Sequence, residues 1–210
     1  RGLLERYGFR FPVEGVARTT DEALAAARRI GFPVVVKTAA AGLLHKTEAG
    51  GVILDVPDEP ALRAACRALG DRFGPAPVLV QARIPDGLEL LIGGRRDATF
   101  GPTVAVGLGG VLAELLRDVS LRLAPLDQAE ALTMLREGRK AELLRGYRGG
   151  PAADADRLAA LPIAVGDLLL DHPQIAELDV NPVVVRGADL AAVDALVVID
   201  HQSQGGSPHA

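Results

Sequence analysis

Apolar residues recur along this chain at two spacings, and each change of spacing marks an element boundary. Arg1 to Tyr7 reads as the tail of a helix that Gly8 stops, with an extended piece from Pro12. Thr19 followed by Glu22 has the capping-box pattern. It opens a helix with Leu24, Ala27 and Ile30 on one face and Gly31 at its close. Val34-Val35-Val36 and Val52 to Val56 have the length and β-branched character of buried strands. Asp58 and Pro60 start another helix, with Leu62, Ala65, Cys66, Leu69 and Phe73 at helical spacing. Cys66 thus belongs to an apolar face and reads as core rather than as a nucleophile.

Pro75-Ala76-Pro77 is the clearest hinge. Three strand-like runs follow, Val78 to Ala82, Leu88 to Ile92 and Thr103 to Val106. The turns between them suit an antiparallel meander. Asp127 and Glu130 cap a helix that runs to Gly138, and helical spacing returns in Leu158, Leu161, Val165, Leu168 and Leu169. Two strands, Ile175 to Val185 and Leu190 to Ile199, precede a polar tail. The expected fold class is α/β with mixed sheets, in two lobes over residues 1–77 and 78–200, with a disordered tail at 201–210. A chain that begins mid-element and without Met looks like a piece of something longer.

Composition narrows the function classes. At 210 residues and 49% apolar the chain can bury a real core, and no apolar run approaches the roughly 18 residues of a membrane span. One cysteine excludes an internal disulfide framework and fits a reducing cytoplasm. A formal charge of −4, no basic block and 3% aromatics argue against nucleic acid or an anionic membrane as partner. The 23 basic residues include only three Lys, so 20 are Arg; Lys37 and Lys46 flank one loop, and Lys140 is the third.

That loop carries the first candidate chemistry. Val34-Val35-Val36 ends on Lys37, small residues follow, and His45-Lys46 precedes Gly50-Gly51. An ammonium at a strand end beside a glycine-rich loop can hold a polyphosphate, and His45 can accept a phosphoryl group and return it. A solvated hairpin with a snorkelling Lys fits the same residues.

Alternation in AELDVN sets Glu177, Asp179 and Asn181 on one face if the segment is a strand. Oxygen donors in a row suit a hard cation such as Mg²⁺, and Asp194, among apolar neighbours, is a candidate co-ligand with Asn181. A solvent-facing edge with unrelated acids is the alternative. VAVGLGGVLAELL lacks the third glycine of a dinucleotide fingerprint, because position 112 is Leu. Gly107, Gly109 and Gly110 still suit a loop closing over phosphates, with Glu114 nearby. Glu89, just past Pro85-Asp86-Gly87, suits ribose hydroxyls or plain solvent.

Together, GFPVVVK, LLHKTEAGGV, FGPTVAVGLGG, DVSLRLAPL and AELDVNPVVV resemble, in this order, the ATP-grasp half of ADP-forming acyl-CoA synthetases, relatives of succinyl-CoA synthetase. The resemblance runs from about Tyr7 to Ile199 and implies a two-lobed ATP-grasp fold that holds ATP or ADP with Mg²⁺. It implies Lys37 at the nucleotide phosphates, Glu89 near the ribose, and the backbone of Val80, Gln81 and Ala82 at the adenine edge. It also implies Asn181 with Asp194 on the metal, and the loop of Gly109 and Gly110 read above would then be nucleotide-binding. His45 matches a phosphohistidine that relays a phosphoryl group from a partner histidine to ADP, and Asp179 a carboxylate close to it.

The implied partner is a CoA-binding half, either a separate alpha subunit or an N-terminal part of the same polypeptide. Acyl-CoA, carboxylate and phosphate would enter through it. Two departures stand out: Ala40-Ala41-Gly42 replaces the family's Ser-Pro-Asp, and Gln81 replaces an acid. The competing reading is a regulatory synthetase-like module of a protein lysine acetyltransferase. An unrelated carboxylate–amine ligase is disfavoured, because such enzymes use no histidine relay.

Overall fold

The structure is a computed structural model and describes residues 1–40, 49–110, 116, 118–146 and 150–200. His45 lies outside them. The chain forms two compact units, one of Pro12–Pro85 and one of Arg1–Phe11 with the chain from Asp86 onward.

The Pro12–Pro85 unit is a four-stranded antiparallel sheet in the order β1-β4-β2-β3. Its strands are β1 (Glu14–Ala17), β2 (Val34–Thr38), β3 (Val52–Val56) and β4 (Val78–Ala82). Helices α2 (Thr20–Ile30) and α3 (Glu59–Phe73) supply the apolar cover. The α2 cap forms as the sequence pattern predicts: Thr19 Oγ1 accepts the Glu22 N–H at 3.2 Å, and Glu22 Oε2 accepts the Arg18 N–H at 2.7 Å. Asp58 does the same for α3 through the Ala61 N–H at 2.9 Å. Leu24, Ala27, Leu62 and Leu69 pack with Val34, Val36, Val56 and Val80. Cys66 packs at the edge of this core, and burial pushes its thiol up, away from the thiolate a nucleophile needs.

The other unit holds α1 (Gly2–Arg6) and a six-stranded antiparallel sheet in the order β10-β8-β5-β6-β7, with β9 paired to β8. The strands are β5 (Leu88–Asp97), β6 (Gly101–Leu108), β7 (Val119–Leu123), β8 (Ile175–Arg186), β9 (Asp189–Ala192) and β10 (Ala195–Ile199). Helices α4 (Gln128–Arg136), α5 (Lys140–Leu144) and α6 (Ala155–Asp171) complete it. The core joins Leu90, Ile92, Val104, Val106, Leu178 and Val180 of the sheet to Met134 of α4 and to Leu158, Val165, Leu168 and Leu169 of α6. Even-numbered residues of β5 therefore face the helices, and Glu89, Leu91 and Gly93 lie on the opposite face.

Three expectations change. The meander expected from Val78 onward does not form as one sheet: β4 lies between β1 and β2, while β5, β6 and β7 belong to the other sheet. The division of the chain accordingly falls after Pro85 rather than after residue 77, and the first eleven residues pack with the later unit. The expected last strand, Leu190 to Ile199, is two strands parted at Val193-Asp194. β7 goes unread by pattern because its phase is inverted, with Ser120 buried and Val119, Leu121 and Leu123 exposed.

Tyr7 ties the N-terminal segment to α6. Its hydroxyl donates to Asp171 Oδ2 at 2.7 Å and lies 3.3 Å from His172 Nε2. The Asp171 hydrogen bond, then burial, then the Asp171 charge hold the phenol above its ordinary 10.0. A raised folded-state value stabilises the fold fully below the unfolded value and loses that contribution as pH rises through the folded one. Tyr7→Phe should therefore lower the melting temperature at neutral pH and flatten the alkaline loss of stability, so that the two proteins converge above pH ~10, read as thermal melts from neutral to alkaline pH.

Candidate functional site

The β8 register builds the polar row. Leu178 and Val180 are buried in the core, so Glu177, Asp179 and Asn181 fall on the opposite face. Partners in an antiparallel pair share a face. Asp179 stands opposite Gly93 of β5 and Leu196 of β10. Asp194 immediately precedes Ala195, which pairs with Val180, and its carbonyl accepts the Asn181 N–H at 3.2 Å. Asp179, Asn181 and Asp194 are thus brought together on one face. Glu177 stands opposite Arg95 instead.

Gly93 is a residue the sequence analysis missed. A Cβ there would lie 2.6 Å from the Leu178 carbonyl and 3.5 Å from Asp179 Oδ1. Only glycine lets the β8 main chain approach so closely at Leu178, beside Asp179. Oxygen donors predominate in this row, and no group of three His, Cys, Asp or Glu suited to a metal occurs among the described residues. Two protein oxygens completed by phosphate and water fit Mg²⁺, which keeps several waters and takes few protein ligands.

Glu89 meets the glycine turn. The Gly109 N–H donates to the Glu89 carbonyl at 2.8 Å. Gly110 has φ +56°, and a Cβ on it would lie 2.0 Å from Glu89 Oε2. The turn therefore lies against the Glu89 carboxylate. Gly109 acts here by position, since its N–H is committed to Glu89.

The remaining candidates lie in the Pro12–Pro85 unit. Lys37 is buried near the end of β2, and register places it, Val35 and Gln81 on the sheet face opposite Val34, Val36 and Val80. Gln81 Nε2 donates to Glu14 Oε2 at 2.8 Å. An acid does stand at this position, supplied by β1 rather than by β4. Nothing in the spacing of Glu14 and Gln81 signals that contact. Val80, Gln81 and Ala82, expected to offer backbone to a base, lie at the end of β4. β4 is flanked by β1 and β2, and the Ala82 N–H donates to the Val13 carbonyl at 2.8 Å.

The fold and these rows define the class. The model of the ATP-grasp domain family matches residues 1–199, and the chain belongs to that family. Within it, the chain matches the beta subunit, or corresponding part, of ADP-forming acetate–CoA ligases. It is 36% identical to subunit beta of acetate–CoA ligase [ADP-forming] I of Pyrococcus furiosus, over 94% of this chain and 88% of that subunit. It is 41% identical to acetate–CoA ligase [ADP-forming] I of Archaeoglobus fulgidus over 95% of this chain, but spans 30% of that enzyme's length.

Among solved structures, the Ca. Korarchaeum cryptofilum dinucleotide forming acetyl-coenzyme A synthetase 1, in complex with coenzyme A, Ca-AMPCP and HgCl⁺, superposes with a TM-score of 0.89 at 36% identity. The match covers 94% of this chain and 90% of that one. A second complex of that protein, with coenzyme A and Mg-AMPPCP and its phosphohistidine segment pointing towards the nucleotide binding site, gives a TM-score of 0.81 at 37% identity, over 93% and 88% of the two chains.

Gly110→Ala should cost about 1 to 2 kcal/mol, the penalty of a left-handed backbone on an L residue. The Glu89 carboxylate can swing away, so the clash itself adds little. Urea unfolding of Gly110→Ala, Glu89→Ala and the pair should then show near-additive losses. A large recovery in the double variant would make the clash, not the backbone, the dominant cost.

Proposed function

We propose that this chain is the nucleotide-binding component of an ADP-forming acyl-CoA synthetase, a ligase that interconverts acyl-CoA, ADP and phosphate with carboxylate, CoA and ATP. The observation that carries the reading is the β8 register, which gathers Asp179, Asn181 and Asp194 on one sheet face. Its occurrence in a chain matched to a ligase beta subunit over 88% of that subunit gives the row its context. The relatives reported above are ligases, and nothing in them favours the regulatory alternative.

In this reading Lys37 neutralises nucleotide phosphates, and Glu89, steadied by Gly109 and Gly110, accepts hydrogen bonds from ribose hydroxyls. Asn181 and Asp194 hold Mg²⁺, which when bound offsets charge on the phosphates. His45 carries the phosphoryl group. Its imidazole keeps a lone pair near neutral pH and attacks phosphorus without a separate base. In the return step an ADP oxygen takes the phosphoryl group, the phosphorus–nitrogen bond breaks and the imidazole departs. Asp179 orients that imidazole.

The partner is a CoA-binding half that bears the first histidine and admits acyl-CoA, carboxylate and phosphate. It is either a separate subunit, as the Pyrococcus furiosus naming suggests, or part of the same polypeptide. ATP and CoA pools place the work in the cytoplasm. Among the described residues no helix is long and apolar enough to cross a membrane.

Incubation with labelled ATP and Mg²⁺, with a CoA-binding half supplied, should give an acid-labile, base-stable phosphate on the wild-type chain and none on His45→Ala. A label that survives the substitution, or a wild-type chain that never labels with its partner present, would refute the relay.

A further inference from the structure

Lys140 lies outside every role assigned above, yet it is the most completely buried charged side chain among the described residues. Its ammonium donates to Ser120 Oγ at 2.8 Å and to Asp118 Oδ1 at 3.4 Å, and its backbone N–H donates to Asp118 Oδ2 at 2.7 Å. Gly138 makes room for this. It has φ +65°, and a Cβ there would fall 1.9 Å from Asp118 Oδ1. The Ser120 hydroxyl lies 3.3 Å from the Met134 carbonyl, which joins β7 to α4.

A buried ion pair is weak evidence for stability, because apolar residues of similar volume serve a core as well or better. What it does is hold one arrangement. The arrangement held here is the main chain at Asp118, whose carbonyl accepts the Leu108 N–H at 3.3 Å. The next residue, Gly109, donates to the Glu89 carbonyl, and Gly110 lies against the Glu89 carboxylate. The contacts run unbroken from Lys140 through Asp118 and Leu108–Gly110 to Glu89.

We propose that the buried Lys140–Asp118–Ser120 cluster positions the Leu108–Gly110 turn, and through it the Glu89 carboxylate that meets the nucleotide. Lys140 is a positioning residue of that site. The inference rests on the nucleotide reading above and adds to it a control point on the far side of β6.

The test uses the full chain with Lys140→Met and with Ser120→Ala, a milder change that removes the 2.8 Å bond and the hydroxyl's contact with the Met134 carbonyl but keeps the Lys140–Asp118 pair. Amide-resolved hydrogen exchange should show the Leu108 and Gly109 amides opening about tenfold faster in either variant, while Ile92 and Val180 keep their rates. Calorimetric titration should show Mg-ADP binding weakened roughly fivefold, with Glu89→Gln costing less affinity in the Lys140→Met background than alone. Lower melting temperatures with unchanged Leu108 and Gly109 exchange and unchanged affinity would make the cluster merely structural and overturn the proposal. Wild-type protein that fails to bind Mg-ADP would instead overturn the nucleotide reading itself, and the exchange rates alone would then judge the contact chain.

Discussion

The register of β8 against β5 and β10 is the constraint on which the rest of the site depends. Leu178 and Val180 face the helices, and together their burial contributes roughly 3 to 6 kcal/mol. That is a large share of the total stability of a typical domain, about 5 to 15 kcal/mol. A slip of one residue would expose both and turn Asp179 and Asn181 into the core. Ordinary apolar packing thus enforces the presentation of three oxygen-bearing side chains. An irregularity between Leu90 and Ile92 in the β5–β8 pairing shifts the phase, so that Leu90 pairs with Val183 and Ile92 with Val180. This phase shift falls on β8 and lets Val180 and Val183, three residues apart, both face the core, while Glu89 shares the face of Gly93 by simple alternation along β5.

The same logic runs through the Pro12–Pro85 unit. Val34 and Val36 enter the core beneath α2 and α3, which puts Lys37 on the other face with Gln81 and, by pairing across β1, Glu14. In both units a half-buried strand with one apolar face delivers polar groups from the other. Glycines then refine them: Gly110 lies against Glu89, and Gly93 admits the β8 main chain at Leu178. Small residues matter here for the side chains they omit.

Much of this was legible in the chain itself, and the limits are physical. Helix caps at Thr19, Asp58 and Asp127 are local and form where the pattern puts them. The Glu177-Asp179-Asn181 alternation is local too, and it holds. Strand membership is not local. β4 reads as a strand from its own residues, but nothing in VLVQA states that it pairs with β1 and β2 rather than with β5. The Glu14–Gln81 hydrogen bond spans 67 positions and leaves no trace in spacing. β7 defeated the pattern because its inward face carries Ser120, whose partner is the Lys140 ammonium, so the usual apolar-in rule runs backwards. The five ordered motifs pointed to the ATP-grasp family before any contact was seen, whereas Gly93 became meaningful only once its strand partner was known.

The central claim is that Asn181 and Asp194 hold the cation of a bound nucleotide on the β8–β10 face. Mn²⁺ in place of Mg²⁺, followed by electron paramagnetic resonance with and without ADP, tests it most directly. Free Mn²⁺ signal should fall on adding wild-type protein with ADP, and fall far less with Asn181→Ala or Asp194→Ala that melt like wild type. Equal Mn²⁺ uptake by wild type and both variants in the presence of ADP would contradict the assignment and send the metal to another face of the molecule.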